Sequence, residues 1–239
     1  MDGTRHLAKR ASLARFLTPL AVAAIAIGAF IIAFPTAKAM VHAQRQSGEI
    51  AAYDQCVAQM EPAAIREAFD EAISYNDSLV DNAARYNLSA EERAAYQAAL
   101  DPVETGVMGY VSIPSLELTL PIYHGTSDKE MQKGARHVEG TALPVGQPST
   151  HAAVTAHRGE PGASYFKDLD QLVEGDTFSI TVLDQTATYR VDRIIVVEPD
   201  DVGSLGCEED IAYCTLITCT PYGVNSHRLL VRGHCVGIE

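Results

Sequence analysis

Thr215 to Arg228 reads TLITCTPYGVNSHR. The stretch opens as a buried strand and closes as a polar loop, with a cysteine where one becomes the other. On a strand over Tyr213–Cys219, residues 213, 215, 217 and 219 face one way and 214, 216 and 218 the other. Cys214 and Cys219 therefore point to opposite faces, which makes a bond between them within one straight strand geometrically poor. The spacings C-x6-C and C-x4-C from Cys207 to Cys219 match no common zinc pattern. From pattern, Cys219 is open to three roles: a buried core thiol, half of a disulfide, or a nucleophile at a strand end, rigid yet accessible.

The surrounding chain reads as short strands from Gly106 onward: Val107–Ile113, Leu118–Tyr123, Ala152–Ala156, Thr177–Leu183, Thr188–Val197, Tyr213–Cys219 and Leu229–Val231. Phe166–Leu172 reads as a short helical turn. Many short strands punctuated by Gly, Pro, Asp and Ser predict a mainly β barrel or sandwich. The lack of regular strand–helix alternation argues against a doubly wound sheet. Upstream, residues 46–100 read as helical. Ile65, Phe69, Ala72, Ile73 and Leu79 form one apolar stripe, broken by Asn76. Ser89-Ala90-Glu91-Glu92 has the form of a capping box opening a helix through Leu100.

Phe16–Phe34, FLTPLAVAAIAIGAFIIAF, carries no charge. At 1.5 Å per residue it spans roughly 28 Å, the thickness of a bilayer core. Arg5, Lys9, Arg10 and Arg15 precede it, against Asp2, so the positive-inside rule predicts a cytoplasmic N-terminus and an extracytoplasmic remainder. Ala37-Lys38-Ala39 fits a small-x-small cleavage site, so the segment reads as an anchor or a cleaved signal. The expected organisation is a basic N-terminus over 1–15, a transmembrane segment over 16–34, a helical region over 35–105 and a catalytic barrel over 106–239. The expected location is the cell membrane, with the membrane as a partner through the N-terminal helix.

The formal charge is −13, and residues 46–239 carry 12 basic against 30 acidic side chains, a net −18. Nucleic acid is a poor partner for such a chain. The five cysteines form no dense disulfide framework, and their odd number leaves one unpaired in an oxidising compartment. Cys56, Cys207, Cys214 and Cys235 could pair or stay free. Two more residues sit where Cys219 sits, at the end of an apolar run. Arg228 follows a loop that can return antiparallel to Cys219, and an arginine there can hold an oxyanion. His157 ends the strand Ala152–Ala156 and could carry a proton; His227 is its rival. The cysteine-phosphatase spacing, the papain order of Cys before His, glycine-rich phosphate loops and HExxH are all missing.

Together these blocks resemble the class C, pilus-assembling sortases of Gram-positive bacteria. The resemblance is carried by Thr215-Leu216-Ile217-Thr218-Cys219, by Thr220 through Gly233 (TPYGVNSHRLLVRG), by Gly106–Pro114 (GVMGYVSIP), by Leu120–Thr126 (LPIYHGT) and by Thr155-Ala156-His157-Arg158-Gly159. It implies a closed barrel of about eight strands, with Cys219 as nucleophile, His157 as acid/base and Arg228 as the oxyanion partner. It implies substrates bearing an LPxTG-like sorting signal and a pilin lysine as acceptor, with no metal or organic cofactor. A cell-wall-anchoring housekeeping sortase and a non-catalytic assembly scaffold on the same fold are the alternatives. Class C members usually carry an Asp-Pro-aromatic lid over the cysteine, and 46–100 has no such tripeptide. The link 80–88 stands in the lid's place, with Tyr86 as its candidate plug; Thr218 is a candidate groove residue.

Overall fold

The computed structural model describes residues 3–80, 82, 84–125, 133–158 and 165–239; the side chains of 3–21, 24, 31–33, 35 and 36 also lie outside the described residues. Three helices, α1 (Gly3–Val57), α2 (Pro62–Ser78) and α3 (Ala90–Ala98), precede the strands. The strands are β1 (Val107–Ile113), β2 (Leu118–Tyr123), β3 (Ala135–His137), β4 (Thr150–Thr155), β5 (Thr177–Val182), β6 (Gln185–Val197), β7 (Ala212–Thr220) and β8 (His227–Ile238). They close into a barrel in the order β1-β2-β3-β4-β7-β8-β6-β5, sealed by β5 pairing with β1. β2/β3 and β4/β7 are parallel; every other pair is antiparallel. This is the mainly β closed barrel that the sequence predicts.

Alternation sorts the barrel wall. On β7, Cys214 and Leu216 enter the core; on β4, Ala152, Val154 and Ala156 just beyond it do; on β8, Leu229 and Val231 do. Phe178 and Tyr189 stack inside at 5.3 Å between ring centroids. β8 crosses this pair at Gly233, where a Cβ would lie 2.9 Å from the Phe178 ring, so glycine is required for the close approach.

The expected transmembrane segment is not upheld. Among the described residues no helix is long and apolar enough to cross a membrane, so the membrane as a partner and the cell-membrane location lose their basis. The run 16–34, several of whose side chains lie outside the described residues, is one part of the 55-residue α1. A span needs about 20 successive apolar residues. The described part of α1 beyond Phe34 instead carries Lys38, His42, Arg45, Gln46, Glu49 and Asp54 and lies against the barrel. There Tyr53, fully buried, donates its hydroxyl to the Met108 carbonyl at 2.9 Å and accepts from the Leu183 N–H at 2.7 Å.

The other helices dock in the same manner. On α2 the buried Asn76 takes the place of a strand. Its amide donates to the Leu143 carbonyl at 3.2 Å and its oxygen accepts from the Leu143 N–H at 2.7 Å. The polar break in the apolar stripe is thus the point of attachment. α3 begins at the capping box that the sequence predicts, with Ser89 accepting from the Glu92 N–H at 3.2 Å and Glu92 accepting from the Ser89 N–H at 2.7 Å. It buries Tyr96, whose hydroxyl meets His137 Nδ1 at 2.9 Å and accepts from the Gly125 N–H at 2.9 Å. His137 Nε2 faces the Ala142 carbonyl at 2.8 Å. These partners fit a neutral ring that donates from Nε2 and accepts at Nδ1.

Two outcomes follow for stability. Replacing Asn76 with Ala leaves a buried N–H and carbonyl without partners. The unfolding free energy from urea titration should fall by about 3 kcal/mol. Burial pushes the His137 pKa down to about 4 from 6.5. The folded state then binds fewer protons than the unfolded one between those pH values. The neutral ring's contribution is complete above pH 6.5 and is lost as pH drops toward 4, about 3 kcal/mol in all. His137→Gln should flatten that part of the stability–pH curve; an unchanged slope would mean that His137 does not govern it.

Candidate active site

β7 is paired along both edges. β8 runs beside it antiparallel with Cys219 directly opposite Arg228 and Thr220 opposite His227. β4 runs beside it parallel, and its last pair is Thr155 with Ile217. Two bonds extend this ladder: the Ala156 N–H donates to the Ile217 carbonyl at 3.1 Å, and the Thr218 hydroxyl donates to the Ala156 carbonyl at 2.9 Å. His157 is the next residue. The topology therefore brings Cys219, Arg228 and His157 to the same end of three adjacent strands. Leu216 and Leu229 point inward, so alternation puts Cys219 and Arg228 on the outer face.

All three side chains are half-buried. The Arg228 Nη1 donates to the carbonyls of Asn225 at 3.3 Å and His227 at 3.1 Å. These bonds curl the guanidinium back onto its own loop and orient it. An arginine has five N–H donors, so donors remain for an incoming oxygen. All five cysteines are free, and Cys219 has no disulfide partner. Cys214, five residues earlier, lies in the core, where burial pushes its thiol pKa well up. Cys207 is exposed. Among the described residues no group of three His, Cys, Asp or Glu side chains gathers as a metal site would.

His227 stands apart from Cys219. It lies across from Thr220, with Nε2 3.4 Å from Glu198 and Nδ1 2.8 Å from the Ser226 hydroxyl. Thr218 is 1% exposed, so its hydroxyl ties β7 to β4 and does not line a groove. Tyr86 is not brought to Cys219 either. In the link 80–88, of which 81 and 83 lie outside the described residues, Tyr86 packs against Gly140; a Cβ there would come within 2.8 Å of Tyr86 Cδ1. Gly140 belongs to the turn whose ends bond to Ala153 and His151. His151 and Ala153 pair with Tyr213 and Thr215, which precede Cys219 on β7 by roughly 13 to 20 Å along the strand.

The sequence reading passed over Arg158. Its side chain is only 7% exposed, and its guanidinium reaches three partners. Nε donates to the Lys167 carbonyl at 3.1 Å, Nη1 to the Thr220 hydroxyl at 3.1 Å, and Nη2 pairs with Asp170 at 2.5 Å. The signal available in the sequence was a cation directly after the histidine with Asp168 and Asp170 following.

A closed barrel with a cysteine opposite an arginine across two strand ends, and a histidine just beyond the end of the neighbouring strand, defines the class. Residues 111–236 match the sortase domain family. The chain belongs to the sortase family, in its sortase C branch. It is 42% identical to sortase C1 from Streptococcus agalactiae, with a TM-score of 0.76, over 79% of this chain and 98% of that one. It is 35% identical to sortase C from Clostridium perfringens SM101, with a TM-score of 0.68, over 80% of this chain and 99% of that one. Among curated relatives, sortase A of Bacillus anthracis is 31% identical over 145 residues, 59% of this chain. The chain spans 65% of the length of that relative, and 65% of sortase D of Bacillus subtilis.

With Tyr86 seated on Gly140, Tyr86→Ala should leave the rate at which iodoacetamide labels Cys219 within twofold of the parent, as read by peptide mass mapping. A large acceleration would restore the expectation that the link 80–88 covers the thiol.

Proposed function

We propose that the barrel over 106–239 is a cysteine transpeptidase that assembles pilin subunits. The observation that carries this reading is the direct cross-strand pairing of Cys219 with Arg228, which sets a nucleophile beside a fixed cationic donor. Cys219 attacks the threonine carbonyl of an LPxTG-like sorting signal, its thiol proton passing to His157. The tetrahedral oxygen takes up negative charge as the carbonyl opens, and the free N–H donors of Arg228 bind it. His157 gives a proton to the departing glycine nitrogen, which leaves a thioacyl-enzyme. A pilin lysine amine then attacks the thioester. His157 takes the amine proton, the Cys219 sulfur departs, and an isopeptide bond joins the two subunits. The proton taken up by His157 returns to the Cys219 sulfur, so in each half the imidazole acts once as base and once as acid while Arg228 binds the oxyanion.

The pilin assignment is supported by the likeness to sortase C structures. One of these, 38% identical, is the Streptococcus pneumoniae sortase C described for catalysis and pilin substrate specificity. Another, 36% identical, is sortase C1 of the group B streptococcal Pilus Island 1.

The test pairs a sorting-signal peptide with two amines, a lysine-bearing pilin fragment and a peptidoglycan-type amine. The expected outcome is a peptide–lysine adduct seen by mass, abolished in Cys219→Ala and lowered roughly 10²-fold in Arg228→Lys, because one ammonium cannot reproduce the oriented fork. A product with the peptidoglycan amine only would turn the reading to cell-wall anchoring. Binding of pilin with no adduct of either kind would leave a scaffold.

A further inference from the structure

The two strand ends that carry His157 and Cys219 are not equally supported. Cys219 lies within β7, inside the ladder to β8. His157 lies past the last β4 pair, and its carbonyl accepts from the Phe166 N–H at 3.2 Å. On its upstream side the Thr218 hydroxyl holds the Ala156 carbonyl. On its downstream side the holding group is Arg158. That side chain joins three segments at once: the exit of β4 by its own backbone, the end of β7 through Thr220, and the 3-10 turn Leu169–Gln171 through Asp170, with the Lys167 carbonyl between. The three partners of the guanidinium lie on β7, on the 3-10 turn and on the segment before it, and neither Cys219 nor His157 is among them.

We propose that Arg158 is a positioning residue: its three-way guanidinium clamp to Thr220, Asp170 and the Lys167 carbonyl fixes the His157 imidazole against the Cys219 thiol. The inference rests on the catalytic reading of those two residues. The chemistry of the clamp requires arginine. Its donors diverge from a rigid plane and meet a hydroxyl, a carboxylate and a carbonyl lying in different directions. A lysine offers one flexible ammonium, which could satisfy Asp170 while releasing Thr220. The proton transfers ask the imidazole to serve a departing nitrogen and then an incoming amine at the same spot, and misplacement by about 1 Å can cost roughly 10²-fold in rate. The clamp acts on the backbone that carries the ring, through Thr220, Asp170 and the Lys167 carbonyl.

The experiment follows carbamidomethylation of Cys219 by iodoacetamide across pH 5 to 9, with the Cys219 peptide resolved by mass from the other thiols. His157→Gln gives the profile of the uncoupled thiol. Arg158→Gln and Arg158→Lys should both move the profile toward that of His157→Gln by at least half a pH unit. Thr220→Val should move it part of the way, and Thr220→Ser, which keeps the hydroxyl, should restore the parent profile. Thermal midpoints, recorded in parallel, identify variants that fail to fold. Profiles for both Arg158 variants that coincide with the parent's overturn the proposal, as does a His157→Gln profile that matches the parent. If neither Arg158 variant folds, Thr220→Val decides on the same criterion. Failure of the transpeptidase reading is separately visible, as a parent enzyme whose Cys219 alkylates with this profile yet forms no adduct with any amine.

Discussion

β7 is paired with β4 from Thr150↔Ala212 to Thr155↔Ile217 and with β8 from Tyr213↔His234 to Thr220↔His227, without a register shift in either ladder. Both edges of a strand locked over this length leave it no freedom to slide or twist independently. The cross-strand pair Cys219–Arg228 is the last-but-one rung of one ladder, and His157 leaves the end of the other. Closure of the barrel behind them, with Phe178 and Tyr189 stacked inside, supplies the packing that keeps both ladders aligned. Cys214, Leu216, Leu229 and Val231 face the core while Cys219 and Arg228 alternate to the outer face, so the core lends these positions rigidity.

The helical region is held to this barrel by a few side chains that imitate backbone. Tyr53 bridges a carbonyl of β1 and an N–H of the turn after β5. Asn76 pairs with Leu143 as a strand residue would. Tyr96 links α3 to Gly125 and to His137. Each inserts a polar group into a buried position where the matching donor or acceptor waits, so the helices gain orientation as well as apolar contact. Such seams are specific because an unpaired member is costly.

Where the local pattern is strong, the sequence was legible. β1 and β2 have the bounds that their apolar runs predict, β7 extends one residue further at each end, and the Ser89 capping box opens α3. Cys219 and His157 each follow an apolar run and Arg228 opens one, and the pairing of β4, β7 and β8 brings these three ends together. Other features depend on tertiary partners that no window contains. β3 is three residues long and shows no periodicity. β8 continues through Gly233 and Gly237 to Ile238, although glycine ordinarily ends a strand. Here the Phe178 ring makes it necessary. Asn76 looked like a flaw in an apolar stripe because Leu143 lies 67 residues away. The run 16–34 was over-read, since apolar composition shows that a helix avoids charge but not what surrounds it. Tyr86 was assigned to the thiol by analogy of position, and its contact with Gly140 depends on a turn more than fifty residues away that no local window contains. Arg158 was missed because a charged residue at the start of a polar loop looks like solvent-exposed punctuation.

Cys214 and Cys219 sit five apart on the same strand, one sealed in the core and the other on the outer wall. Five is odd, so a slip of β7 by a single residue would exchange their surroundings, burying one sulfur and presenting the other to solvent opposite a different residue of β8. Such a molecule would retain most of its hydrogen bonds and a thiol on its surface, yet Arg228 would no longer stand opposite a cysteine. Quality control and chemistry are thereby the same event in this chain. On the proposed function, a misfolded copy would be silent rather than promiscuous, and an acyl group would be taken up only by a barrel whose strands have already closed in step.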